Sequence, residues 1–194
     1  MNYTVTVDPA RQVIELEEVK NHLRVDGTTD DGLIGDYLAA AIDAAERFMN
    51  RPLITQTLKL TLDEFPASRE IEIARVPVQS VSSVKYYDVD GAQQTLSSDD
   101  YFVDTATEPA RVRLKPDESW PDLDDGRPGA VEVTFVAGYG DTPEDIPGQI
   151  AQGILFTVAH FFTMREPVIV GTIIAKVPQS ATWCFDKYRL KTFA

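Results

Sequence analysis

Residues 33–62 read LIGDYLAAAIDAAERFMNRPLITQTLKLTL, and the spacing of apolar side chains changes inside this stretch. Leu33, Ile34, Tyr37, Leu38, Ala41, Ile42, Ala45, Phe48 and Met49 recur at three and four, which predicts an amphipathic helix of about 18 residues with a wide apolar face. Alanines at 39, 40, 41, 44 and 45 add helix propensity and permit close packing against other helices. Asp30 and Asp31 stand where an N-cap and a first-turn acid belong, and Arg51-Pro52 stops the helix. From Ile54 the period becomes two: Leu58, Leu60 and Leu62 alternate with Thr57, Lys59 and Thr61, as a half-buried strand requires. A helix that hands over directly to a strand predicts a mixed architecture.

Upstream, Leu16, Val19 and Leu23 predict a short amphipathic helix near residues 15–25, ended by Asp26-Gly27-Thr28-Thr29. Downstream, Glu70-Ile71-Glu72-Ile73 and the neighbourhood of Val81, Val84 and Tyr86 read as strands. Asp88-Val89-Asp90-Gly91 supplies a turn that returns Gln93 to Leu96 as the second arm of a hairpin. Tyr101–Val103, Ala110–Leu114 and Ala130–Val136 are further strand candidates, the last two separated by a polar, proline-rich loop from Pro116 to Gly129. The period then returns to three and four at Ile150, Ile154, Leu155, Val158, Phe161 and Phe162, a second long helix that ends near Met164. Arg165-Glu166-Pro167 breaks it, Val168 to Ala175 has no clear period, and Pro178 starts a last short helix expected to run through Tyr188 and Leu190. The expected fold is α+β: a small helical bundle, two long core helices plus short terminal ones, with an inserted antiparallel β-sheet or small barrel. Its parts are 1–54, helical; 55–136, β; and 137–194, helical with a basic aromatic tail.

The 194 residues carry 31 Asp and Glu against 18 Lys and Arg, a formal charge of -13. Residues 1–54 hold 10 acids and 5 bases, 55–136 hold 16 and 8, and 137–194 hold 5 and 5, so the whole excess lies in the first two parts. Such a chain is a poor general nucleic-acid binder, because affinity for phosphate backbones comes from Lys and Arg. A single cysteine, Cys184, excludes an internal disulfide framework and a multi-cysteine zinc site. Met1 to Asp8 has neither a basic nor an apolar region of the secretory kind, and the longest apolar stretch, Ile154–Phe162, is too short to span a membrane, so the chain reads as soluble. The end differs from the body: Lys187, Arg189 and Lys191 face the single Asp186 across the last nine residues. A basic, aromatic tail on an acidic body suggests a docking element, the alternative being an ordinary terminus that has collected a few lysines.

No catalytic or metal-binding constellation emerges. Asp88-Val89-Asp90-Gly91 begins like a calcium loop, yet its glycine comes two places early and no Glu stands at the twelfth position. Asp122, Asp124 and Asp125 could hold a cation or simply solvate their loop. His22 and His160 lie on helices with no second histidine near either, which fits packed or surface side chains better than ligands. Cys184 sits in an aromatic setting, Thr182-Trp183-Cys184-Phe185, suited to a buried thiol rather than a nucleophile. There is no Gly-x-Ser-x-Gly, and Gly138-Tyr139-Gly140 is followed by Asp141, whose charge repels a phosphate; those glycines better suit a sharp exit from strand to helix. An enzyme is therefore not expected, nor any cofactor or metal. The alternative is a small acidic hydrolase or ligand-binding domain whose carboxylates converge within the β insertion.

The order of these elements resembles the head-tail connector proteins of tailed bacteriophages, also called adaptor or head-completion proteins, with relatives in prophages and gene transfer agents. Four stretches carry the resemblance: Leu16 to Asp26; Ala44 to Leu53, ending Asn50-Arg51-Pro52-Leu53; Phe135 to Gly140 through Ile146-Pro147; and Val177-Pro178 through Tyr188-Arg189. The resemblance implies a structural virion protein of the neck, assembled in the host cytoplasm, that forms a ring of about a dozen copies under the portal. Such a ring extends the DNA channel and meets a stopper or tail protein, with no membrane involved. An acidic annulus would then let DNA slide past without holding it. In that setting Trp183, Phe185, Tyr188, Arg189, Lys191 and Phe193 are expected to form or support an arm on the portal, the alternative being that Trp183 and Phe185 close the helical core. Trp120, Asp122, Asp124, Asp125 and Arg127 are the second interface candidates, toward a neighbouring subunit or a tail-side partner, against a mobile solvated loop.

Overall fold

The computed structural model describes residues 2–124, 126–164 and 178–190, and shows a mixed α+β fold. Four helices, α1 (Leu16–Leu23), α2 (Asp31–Met49), α3 (Gly148–Thr163) and α4 (Gln179–Asp186), surround one apolar cluster. The face of α2 that is buried runs Ile34, Leu38, Ala41, Ala45 and Met49, at the three-and-four spacing that one side of a helix dictates. Facing it, α3 buries Ile150, Ile154, Leu155 and Val158. Gly153 lets α4 lie directly on α3: a Cβ there would sit 2.5 Å from Cε1 of Phe185 and 2.9 Å from Cβ of Cys184. Thr157 is fully buried in the same helix and donates its hydroxyl to the Gly153 carbonyl at 2.9 Å, which removes the cost of an unpaired polar group. The short helix α1 is tied to α2 by Lys20, whose ammonium reaches Asp31 at 3.0 Å and Glu17 at 3.2 Å.

Eight strands follow the chain order β1 (Asn2–Val7), β2 (Gln56–Leu62), β3 (Glu70–Ile73), β4 (Val78–Tyr87), β5 (Gln93–Thr95), β6 (Tyr101–Asp104), β7 (Ala110–Leu114) and β8 (Val131–Ala137). They form two antiparallel sheets rather than one: a five-stranded sheet ordered β1-β2-β8-β4-β5 and a three-stranded sheet ordered β3-β7-β6. Leu58, Leu60 and Leu62 of β2 oppose Phe135, Val133 and Val131 of β8, and this apolar face meets Ile71 and Ile73 of β3 and Val112 and Leu114 of β7 in a second core. Period-two alternation specifies the strands but not which strands share a sheet, so it fits a single inserted sheet or a small barrel equally well. The strand β1 is not signalled either, since its side chains are largely exposed and it carries no buried apolar alternation. At the other end, α4 stops at Asp186, short of the expected Tyr188 and Leu190. Leu190 leaves the helix because its backbone N–H donates to the Met49 carbonyl at 3.0 Å. The apolar run from Val168 to Ala175 lies outside the described residues. Among the described residues no helix is long and apolar enough to cross a membrane.

Candidate functional site

Asn50-Arg51-Pro52-Leu53 is where the helical core, the sheets and the C-terminal segment are joined. Asn50 ends α2 in the left-handed conformation, φ 59°, and its side-chain amide donates to the Ala74 carbonyl, just beyond β3, at 2.6 Å. Arg51 is buried and forks onto Glu108, Nη1 to Oε1 at 2.7 Å and Nη2 to Oε2 at 2.5 Å, while its Nε donates to the Tyr188 carbonyl. One guanidinium thus bonds to a carboxylate in the β6–β7 connection and to the segment after α4. The fork holds the Glu108 carboxyl below the ordinary glutamate range. Glu46 accepts the Leu53 N–H at 2.8 Å, and its burial pushes its carboxyl up. The Tyr139 phenol is pushed up by burial too, beside Arg51 and Glu108.

The return from sheet to helix closes the same junction. Gly138, at φ 139°, lies against the backbone of Ile54 and Thr55, where a Cβ would approach within 2.6 Å, so only glycine fits. Its neighbours pair across the gap, with Tyr139 N–H to the Leu53 carbonyl at 3.0 Å and Thr55 N–H to the Gly140 carbonyl at 2.8 Å. This is the strand-to-helix exit read from Gly138-Tyr139-Gly140, and the Gly138 and Tyr139 N–H groups are spent on the Pro77 and Leu53 carbonyls.

Tail residues selected from the sequence divide between core and surface. Phe185 is buried with Ala181 and Cys184 and meets Phe48 ring to ring at 6.2 Å, so it holds α4 onto the bundle. Trp183 points the other way and is 72% exposed. Tyr188 packs against the helical cluster, Leu190 against the sheet cluster, and the Arg189 guanidinium lies 5.0 Å from the Phe48 ring centroid. Lys191 and Phe193 lie outside the described residues.

The second set, in the loop 116–129, is anchored on the sheets. Trp120 stacks on Phe65 at 4.6 Å with an interplanar angle of 4°, and its Nε1 donates to the Ser68 carbonyl at 2.9 Å. Arg127 sits over the Tyr87 ring at 3.5 Å and reaches Asp124 at 3.6 Å. Asp122 is exposed and Asp125 lies outside the described residues. Together with Asp63 and Glu64, Trp120, Asp122, Asp124 and Arg127 border an open cleft of about 800 Å3. A second pocket of the β region brings Asp63, Glu64, Glu70 and Glu72 together, so carboxylates gather on both sides of Asp63 and Glu64.

The other candidates are absorbed by the fold. The Asp88 carboxylate accepts the Asp90 and Ala92 N–H groups at 3.1 and 2.9 Å and the Gln94 amide at 2.7 Å, and the Gln94 bond leads the others in holding its carboxyl low. His22 meets Phe156 and His160 meets Phe161, each with ring centroids 6.2 Å apart. Burial pushes the Cys184 thiol up, away from the thiolate a nucleophile needs. Among the described residues no group of three or more His, Cys, Asp or Glu side chains is placed to hold a metal ion. The residues that sequence reading missed are Arg51 as a buried tie and Glu108 as its partner; the signal for Arg51 was its place in the helix-to-strand switch, whereas Glu108 carries none.

A family model for the phage gp6-like head-tail connector protein matches residues 13–110, from the approach to α1 to the start of β7. No curated protein matches the chain. Among solved structures it is similar to a chain in the neck of an empty gene transfer agent particle computed with C6 symmetry, at TM-score 0.81 and 20% identity, over 100% of this chain and 98% of that one. A chain in the virion of a native gene transfer agent particle gives TM-score 0.81 and 21% identity over the same shares. The neck of a native particle computed with C12 symmetry gives 0.79 and 20%, again over 100% and 98%. At these identities the likeness is one of fold.

Proposed function

Because the chain belongs to the phage gp6-like head-tail connector protein family, we propose that it is a structural neck protein that assembles as a ring of about twelve copies beneath the portal. The ring extends the DNA channel, joins the capsid to a stopper or tail protein, and is built in the host cytoplasm of a phage, prophage or gene transfer agent. The observation that carries this reading is the whole-length match to a chain in particle necks, since 100% of this chain and 98% of that one superpose without an added or missing domain. Twelvefold symmetry contains sixfold, so both neck structures fit a ring of twelve.

Charge gives the channel its property. Each copy contributes -13, all of it from the first two parts of the chain, and a ring of about a dozen concentrates that into a strongly negative annulus. DNA then meets like charge and passes without specific binding. The grip on the portal falls to the neutral last part, where exposed Trp183 on α4 and the Tyr188-Arg189 stretch lead into Lys191 and Phe193. Loop 116–129, held by Trp120 and Arg127, presents Asp122 toward a neighbouring copy or the tail-side protein.

Portal rings mixed with the chain and viewed by electron microscopy test this. A twelvefold collar of added density on the portal is expected, and it should disappear when residues after Tyr188 are deleted. Portal rings that stay bare with the full chain would overturn the reading.

A further inference from the structure

Resting on the ring just proposed, we infer that successive copies meet through the two opposite ends of the β region: the β1 side of one copy against the β5–β6 side of the next. A closed ring needs a head-to-tail contact, which joins two different patches of the same subunit. The topology supplies two such patches. β1 and β5 are the outer strands of the five-stranded sheet, and β3 and β6 the outer strands of the three-stranded sheet. The sheets are aligned so that β1 lies by β3, because the Tyr3 hydroxyl accepts the Ala74 N–H at 2.9 Å just past β3. At the far end, Leu96 after β5 and Tyr101 at the start of β6 enter the same core.

Both ends carry unpaired strand edges with exposed apolar side chains. Val5 and Val7 are 44% and 59% exposed on β1, Phe102 and Val103 56% and 40% on β6, and Val89 lies 65% exposed at the β4–β5 turn. Five of the seven large apolar side chains exposed among the described residues thus lie at these two ends. β1, Asn2–Val7, contains no charged residue or proline, the devices that keep a free edge from pairing, and β6 carries a charge only at its last residue, Asp104. Edges so left open fit strand addition by a second copy.

The two ends differ in charge. Asp90, Asp99, Asp100 and Asp104 lie at the β5–β6 end, with Lys115 over the Phe102 ring at 5.3 Å; on β7, Arg113 stands opposite Phe102 and Arg111 opposite Asp104, and these two reach Glu70 at 3.4 and 3.5 Å. On the β1 side, Arg75 stacks over Tyr3 at 5.6 Å, and its buried Nε has no hydrogen-bond partner among the described residues. The other arginine of that recess, Arg47, is already held by Asp43 at 2.8 Å. Arg75 shares the recess with the half-buried Glu46 carboxylate, on which its charge acts, and makes no salt bridge among the described residues.

Paired cysteines test the contact. Val7→Cys and Val103→Cys, both at exposed positions, are placed in one chain with Cys184→Ser, collars are formed on portal rings, and the sample is oxidised and run without reductant. A ladder of linked copies climbing to the full ring is expected, with each single-cysteine chain stopping at dimers or monomers, and Val7→Cys in collars should react with maleimide at least tenfold more slowly than in free chain. Collars visible by microscopy that give no ladder and leave Val7→Cys fully reactive would overturn the interface while leaving the ring intact. Bare portals with wild-type chain would instead remove the ring, and this contact with it.

Discussion

Replacing Arg51 with Met keeps most of the side-chain volume while removing three hydrogen bonds, two to the Glu108 carboxylate and one to the Tyr188 carbonyl. Breaking a buried ion pair costs about 3–5 kcal/mol when the remaining charge stays buried. Here the remaining charge is Glu108, whose side chain is 44% exposed and regains water, so the cost falls to about 2–3 kcal/mol, mostly from lost bonds and the unpaired Tyr188 carbonyl. The loss also has a location. Leu190 N–H bonds to Met49 next to Arg51, so the segment after α4 should loosen before the sheets do. Urea unfolding with hydrogen exchange on Arg51→Met checks both. The expected result is an unfolding free energy lowered by about 2–3 kcal/mol, read as a lower urea midpoint at unchanged m, with the Tyr188 to Leu190 amides exchanging at least tenfold faster. Stability within about 0.5 kcal/mol of wild type, or uniform exchange across the chain, would refute Arg51 as the tie between the two cores and the tail.

Three further outcomes follow from the same contacts. Glu108→Gln should flatten acid sensitivity: because the Arg51 hydrogen bonds depress the Glu108 pKa, its stabilisation is present above the ordinary glutamate range and lost as pH falls through the lower folded value, so wild-type and variant melting temperatures should converge as the solution is acidified below that value. Gly153→Ala forces a Cβ into Phe185 and Cys184, and the overpacking of about 1–3 kcal/mol outweighs the helix-propensity gain of about 1, so thermal unfolding should show a net loss. Trp183→Ala should change stability by less than about 0.5 kcal/mol, the side chain being 72% exposed, yet weaken binding to portal rings by at least tenfold in a sedimentation assay.

What the sequence announced and what it concealed divide by distance along the chain. The switch between residues 33 and 62 was legible because helix and strand each print their own period within a few turns, and the same holds for α3 and for β2 and β8. The strand β1 was not, because an edge strand with mostly exposed side chains has no apolar alternation to print. Arg51 and Glu108 lie 57 positions apart, and nothing in a sequence couples a surface-looking glutamate to a buried arginine across that gap. For the tail, Ala181, Cys184 and Phe185 fall at three and four and so mark a core face, with Trp183 on the opposite side; the spacing separates anchor from exposed surface in a set that composition alone lumps together. Trp120 shows the converse, a polar-looking loop fixed by one stacked ring.

A ring-forming part of a particle neck, as proposed for this chain, must be found in place at the capsid vertex. Cryo-electron microscopy of particles produced by a host that carries its gene, resolved at the capsid vertex without imposed symmetry, tests it most directly. The expected density is about twelve copies of this fold, two sheets and a four-helix cluster each, as one collar between the portal and the tail-side proteins. A vertex whose collar is built from another fold, with this chain absent from the purified particles, would contradict it.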